Sequence, residues 1–437
     1  MFYIDKNTEL TLDNIKSYIN AFKINEYPRL KKLDNYYLNK NDKIRLRTFE
    51  DETKPNNKVS HSFAQYITTT NVAMLLGNPV SYKSEENIEV YQDILDKADE
   101  QDINNSLAKD ASKFGYGIQL MYLNEDLDIN FAVLNPLQTV LIYSNDIKPK
   151  VLYAINFWTN KDIIKNTDVE YIRVYSKEVT RTYKENVLIE DEANQFNDIP
   201  IFIYKNNDDM LGDYELVISL IDAYDFLESD SINESDYFNN CYFHVKTELP
   251  MDSDLREELI TELKGMKENR TIINPDDVGF ITKPIIENEV EKVRLVQDIH
   301  KLAYVPDMSD KEFANNVSGV AMKYKLLLTL FNIKNKQAKF EQAINERNKV
   351  LFEMMKYRMM KVPEYVDIVF NVSLPVNDLE IAQMINQLSG KLSNQTSIGQ
   401  LSFVKDPAYE MELKKKEDEI NSFEVDLNKE DDKDEEN

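Results

Sequence analysis

The residues most able to do chemistry cluster at one break in the chain. Asp307, Asp310 and Glu312 bring three carboxylates close together, and hard oxygen donors of that kind bind Mg2+. A structural reading competes with this. Ser309 and Asp310 suit the start of a following helix, where a short polar side chain bonds free backbone N–H groups. Pro275-Asp276 and Pro306-Asp307 each look like the opening of a metal-dependent nuclease pattern. Its second half needs an acid two places before a lysine. Val290 stands there before Lys292 and Ile299 before Lys301, so the pattern is incomplete. Cys241 is the only cysteine, which excludes a disulfide or a cysteine-built metal site within one chain. His61, His244 and His300 are far apart and read as packed or surface residues. With one Cys and so few His, no nucleophile arrangement stands out. No catalytic residue, metal or cofactor is expected.

Glycine is scarce, at 9 residues, and no G-x-x-x-x-G-K-[ST] or G-x-G-x-x-G occurs. Gly115-Tyr116-Gly117 stands alone, so a nucleotide-driven motor or dinucleotide enzyme is not indicated. The opening MFYIDKNTEL lacks a basic region leading into an apolar run, so no signal peptide is expected. The most apolar stretch, near Leu326–Ile333, is far short of the ~18 residues of a membrane span. A soluble protein of a reducing compartment is expected, or of a particle assembled there.

The elements that position these residues fall into blocks. The 437 residues are enough for several cores. Helices are expected over 11–40, from Phe63 to a stop at Gly77 and Pro79, and over 87–115. Short segments rich in Ile, Val, Tyr and Phe follow at 117–124, 129–134, 139–143, 150–158, 170–176, 179–184 and 200–204. They read as a mostly antiparallel sheet, in which Trp158 is a packing residue. From Asp213 to Asn240 one helix is expected, with a stripe of Leu216, Leu220, Ala223 and Leu227. It carries eight acids and no Lys or Arg. A small α/β insert covers 241–290, and a helix runs from about Glu291 to Tyr304. Beyond the polar break at Pro306–Gly319, helix is expected from Val320 to Val362, packing through Phe331, Phe340, Ile344, Leu351 and Met355. That helix holds ten basic residues against three acids. A strand at 366–374 and two short helices, 377–389 and 394–404, come next. The helix pair reads as packed helices rather than a DNA-reading motif, because the second contains no Arg.

Net charge is −26, which disfavours sequence-independent nucleic-acid binding over the whole surface. Residues 406–437 alone carry fourteen acids and five lysines and read as a disordered acidic tail. The acidic and basic helices are the most unusual features. They suit two solvated helices that pair with neighbours, or a multi-subunit wall whose charge is graded toward DNA.

A resemblance bears on this choice. VPDMSDKEFANNVSGVAMKYKL (305–326) resembles the signature segment of portal proteins of tailed phages, of the siphophage type from Gram-positive hosts. Further segments are similar in the same order: 55–82, 114–126 with 133–143, 213–238 and 374–396. The resemblance implies an α+β portal-protein fold with a mixed wing domain, two-helix stem, small α/β clip, long wing helix and short helical crown. It implies a wing at 1–212, a first stem helix at 213–240, a clip at 241–290 and a second stem helix at 291–306. A tunnel loop at 307–319, a long wing helix with returning strand at 320–374, a crown at 375–405 and the tail at 406–437 complete the chain.

The same resemblance implies a homo-oligomeric ring of about twelve subunits around a central channel. Double-stranded DNA would pass through it without sequence recognition. Terminase, head-tail adaptor proteins, and major capsid and scaffolding proteins would be partners, with no membrane. The protein would assemble in the host cytoplasm and reside at the virion's capsid vertex, and would not be an enzyme. Asn315, Asn316, Val317 and Ser318 would face DNA from the tunnel loop. Asp222, Asp225, Glu228, Asp230 and Glu234 would line the stem. The alternatives are a minor capsid or adaptor protein that binds the portal, or a DNA-processing nuclease.

Overall fold

The structure is a computed structural model. It describes residues 2–6, 8–50, 54–163, 166–238, 242–245, 278–281, 288–308, 326–371 and 378–388, with shorter stretches from 390 to 417 and single positions at 257, 261 and 324. The chain divides into two compact units. One comprises Met1–Asp307 with Phe331–Asn371, the other Met308–Leu330 with Val372–Asn437.

The first unit opens with β1 (Phe2–Ile4) and two helices, α1 (Leu12–Asn25) and α2 (Tyr27–Tyr37). The helical periodicity expected across 11–40 is thus divided between two helices. The Thr11 side chain caps α1, and the chain turns at Glu26, with Pro28 in the first turn of α2. Proline is tolerated there because its missing N–H would be unbonded anyway. A short α3 (Asp42–Arg45) and α4 (Phe63–Leu76) follow, then β2 (Ser81–Lys83). The expected helix at 87–115 is also two, α5 (Glu89–Lys97) and α6 (Glu100–Phe114). Asp99 separates them in a left-handed conformation, φ +48°.

Gly115 ends α6 at φ +90°. A Cβ there would lie 1.8 Å from the Met210 carbonyl oxygen, so only glycine fits. The sheet region follows with β3 (Tyr116–Leu123), β4 (Ile129–Leu134), β5 (Thr139–Ser144), β6 (Val151–Asp162), β7 (Thr167–Tyr175), β8 (Val179–Lys184), β9 (Val187–Ala193) and β10 (Ile201–Lys205). It forms two sheets. One has the order β1-β5-β6-β7-β8-β9 and is antiparallel except where β1 runs parallel to β5; the other is the antiparallel β10-β3-β4. β9 was not expected. Every residue in it is exposed, so it lacks the buried alternation that marks a strand in sequence. The main core joins Ile15, Ile19 and Phe22 of α1 and Leu30 and Leu33 of α2 to Val140, Ile142, Ala154 and Ile155 of the sheet.

A turn of 3-10 helix leads into α7 (Ile218–Phe238). β11 (Tyr242–Val245) and β12 (Val278–Ile281) pair antiparallel, in agreement with strands expected in the insert. α8 (Glu289–Leu302) follows, and then the long α9 (Leu327–Tyr357). α9 stops before the expected Val362. Met359 turns left-handed at φ +55° and the Met360 N–H bonds back to the Met355 carbonyl at 2.9 Å, a pairing that closes helices. Phe340, Ile344, Leu351 and Met355 are buried as expected, but Phe331 is 52% exposed. β13 (Asp367–Val369) pairs with β2.

In the second unit, α10 (Asp378–Gln387) and α11 (Asn394–Ile398) lie where two short helices were expected. Gly390, at φ +80°, lies between them, and the Ser393 hydroxyl accepts the Thr396 N–H at 3.2 Å to cap α11.

The acidic helix and its joints as the candidate functional site

The buried face of α7 and its approach is Val217, Ile218, Ile221, Asp222, Asp225, Ser229 and Asn233. The apolar stripe read from sequence is displaced from it, and Leu216 is 74% exposed. Four of these seven residues are polar, and buried polar groups require partners.

Those partners come from far away in sequence. Asp222 accepts the Tyr36 hydroxyl and lies 3.6 Å from the Lys43 ammonium. Asp225 accepts from Asn41 Nδ2, from the His61 backbone N–H at 3.0 Å, and lies 2.9 Å from His61 Nδ1. A non-helical strap at 57–61 runs along the helix. The Asn57, Val59 and His61 N–H groups donate to Asn233 Oδ1 at 2.7 Å, Ser229 Oγ at 3.0 Å and Asp225 Oδ1 at 3.0 Å. Alternate residues of an extended chain are ~6.6 Å apart, and four residues of helix advance ~6.0 Å. That match lets every second strap amide meet every fourth helix residue.

The five expected lining acids therefore differ in kind. Asp225 has no exposed surface and Asp222 only 5%, so the expectation that these two present charge outward is corrected. Their charges lie inside the fold because donors from α2, the loop before α3 and the strap surround them. Asp230 is bonded by Arg47, and Glu228 by Lys292 at 3.3 Å. Glu234 is half-buried, while Asp236 is exposed and accepts from Asn57 Nδ2 at 2.6 Å. The more open acids thus lie toward the C-terminal end of α7.

α8 packs beside α7. Lys292 is 8% exposed and bridges Glu228 and Glu289, the latter at 3.1 Å. Burial works against its charge, but those bonds hold its pKa above the ordinary lysine value. His300 is buried near the end of α8, and burial lowers its pKa. Its ring meets Tyr66 and Phe63 edge-on, and Phe63 in turn meets Tyr224 of α7 at 5.3 Å. His61 and His300 are thus packed residues, as read from sequence.

The basic helix α9 is held in the same manner. The Lys336 ammonium, 5% exposed, bonds Asp213 and Asn206. Lys339 pairs with Asp208. Arg347 is fully buried and bonds Glu100 at 2.6 Å, with the Tyr82 and Tyr91 hydroxyls at 3.3 and 3.5 Å. These three cations pair within their own chain, and each joins α9 to a residue more than a hundred positions away.

Asn315, Asn316, Val317 and Ser318 lie outside the described residues, as do Asp310, Glu312 and most of 241–290. Among the described residues, no group of three or more His, Cys, Asp or Glu is placed to hold a metal ion. No helix among them is long and apolar enough to cross a membrane.

Within the first unit, the buried pairs Lys336–Asp213 and Arg347–Glu100 thus fasten α9, and buried hydrogen bonds fasten α7. The model for phage portal proteins of the SPP1 Gp6-like type matches residues 16–422, and the chain belongs to that family. The family is structural rather than enzymatic, and portal proteins are virion components. The chain is similar to the portal protein of Bacillus phage SPP1, 24% identical over 430 residues that cover 89% of this chain and 83% of the relative. It is also similar to the portal protein of Clostridium phage phiCD119, 22% identical over 325 residues that cover 66% and 71%.

Proposed function

We propose that the protein forms a ring at the unique capsid vertex and conducts double-stranded DNA during packaging and ejection. In this reading it also docks terminase and then head-tail adaptor proteins, and contacts major capsid and scaffolding proteins. The supporting observation is a portal-family match that runs through nearly the whole chain, with α7 and α8 packed as a pair inside it.

The division into parts is likewise a proposal. Residues 1–212 with much of α9 form the wing, 213–240 and 291–306 the stem, 241–290 the clip, 307–319 the tunnel loop and 375–405 the crown. Asn315, Asn316, Val317 and Ser318 face DNA, and the amides of the two asparagines and the hydroxyl of Ser318 touch phosphates without gripping them. The acidic lining narrows to Glu228, Asp230, Glu234 and Asp236, since Asp222 and Asp225 are buried. Duplex DNA carries about one charge per 1.7 Å, and screening limits repulsion to about 8 Å at physiological salt. An acidic wall within that range keeps DNA from sticking and still lets it slide.

Negative-stain imaging and native mass measurement of the purified protein test the reading. Rings with a central hole are expected. Monomers or small oligomers at high concentration would sink it in favour of an adaptor or minor capsid protein.

A further inference from the structure

The end of α8 is held in an unusual way. Val305 N–H bonds the His300 carbonyl at 3.0 Å, Tyr304 N–H approaches the Lys301 carbonyl at 3.4 Å, and Tyr304 itself has φ +56°. This is the paired closure of a helix end whose left-handed position usually holds glycine. A tyrosine there is strained, and such a conformation persists only where its surroundings over-determine it.

Supports are visible on three sides, one being the His300 imidazole, which acts on the Val305 and Pro306 backbone. Val305 is buried at 4% exposure. The next carbonyl, that of Pro306, accepts the Tyr66 hydroxyl of α4 at 2.7 Å. The Tyr66 ring also stands edge-on to buried His300, with centroids 5.2 Å apart, and Phe63 meets the same imidazole at 6.2 Å. α4 thus grips α8 through ring contacts and grips the chain beyond it through one hydroxyl. Deleting that hydroxyl leaves the ring contacts in place.

We propose that Tyr66 is a positioning residue: by holding the Pro306 carbonyl, it fixes the direction in which the chain leaves α8. The consequence for DNA passage rests on the conduit reading above; the geometry at 300–306 does not.

Hydrogen–deuterium exchange on the full-length protein tests this with Tyr66→Phe, which keeps the ring and loses the donor. Amides in peptides spanning 299–308 should exchange about three- to tenfold faster, as expected for loss of one hydrogen bond that governs local opening. Peptides from β5 and β6, and the thermal midpoint, should stay as in the wild type. Unchanged exchange at 299–308 overturns the proposal. So does a global loss of protection, because Tyr66 would then support the core rather than the exit. Particles assembled with Tyr66→Phe should contain less DNA, and normal DNA content beside accelerated exchange overturns the link to DNA passage. Absence of rings in the wild type would defeat the conduit reading instead, while the exchange result would still decide the role at Pro306.

Discussion

Asp225 and His61 are bonded twice, through the His61 backbone N–H at 3.0 Å and through its ring Nδ1 at 2.9 Å. With Asn41 as a further donor, a fully buried carboxylate on the acidic helix becomes a fastening point for the strap. Asp225→Ala leaves these groups without their acceptor, and a loss of about 3 kcal/mol in denaturant unfolding is expected. Asp225→Asn should cost less, since one carbonyl oxygen remains to accept.

The Arg347–Glu100 pair is enclosed, and breaking a buried pair from one side costs about 3–5 kcal/mol because the other charge is stranded. Arg347→Met is expected to destabilise by that order in urea titration. The double variant Arg347→Met with Glu100→Gln should recover most of the loss. Arg347→Lys should not restore full stability, because one ammonium cannot reproduce the guanidinium's several directed bonds.

Gly115→Ala should give little soluble protein, because its Cβ would meet the Met210 backbone at 1.8 Å. Gly390→Ala is the control. It shares a positive φ, +80°, but meets open space, so a cost of about 1 kcal/mol is expected. Soluble yield and thermal midpoints compare the two.

Asp110 gives a signed pH dependence. Burial, with Asp34 adding to it, pushes its carboxyl up to about 6 despite Lys113 and Lys109. In an unfolded chain an aspartate titrates near ~3.9. The folded form therefore binds more protons between these values. The favourable contribution is full below the unfolded value and is lost as pH rises through about 6. Asp110→Asn should raise the thermal midpoint at pH 8 and change it little at pH 4.

Deleting 314–318 should impair DNA packaging while rings still form, as seen by imaging alongside DNA content per particle. Loss of ring formation would show that the segment holds the assembly together instead of contacting DNA.

The sequence by itself determined the mixed class, most strands, the acidic and basic helices and the family. Those signals are local: runs rich in Ile, Val, Tyr and Phe between turn residues in β5 and β6, the Ile15, Tyr18, Ile19, Phe22 stripe of α1, and segments that resemble relatives one by one. The break at Glu26 had a signal in Pro28 that the continuous periodicity hid, that at Asp99 has no glycine or proline to mark it, and β9 escaped because nothing in it is buried.

Only the tertiary structure decided what the acidic helix does with its charges. Asp222 and Asp225 look like free lining acids until Tyr36 and Asn41, 186 and 184 positions away, close on them. The strap's alternate amides find α7 only because an extended chain and a helix share a repeat near six ångströms. Whether a carboxylate is surface charge or internal fastening depends on which distant donors reach it. Composition counts the acids, but only packing assigns their partners.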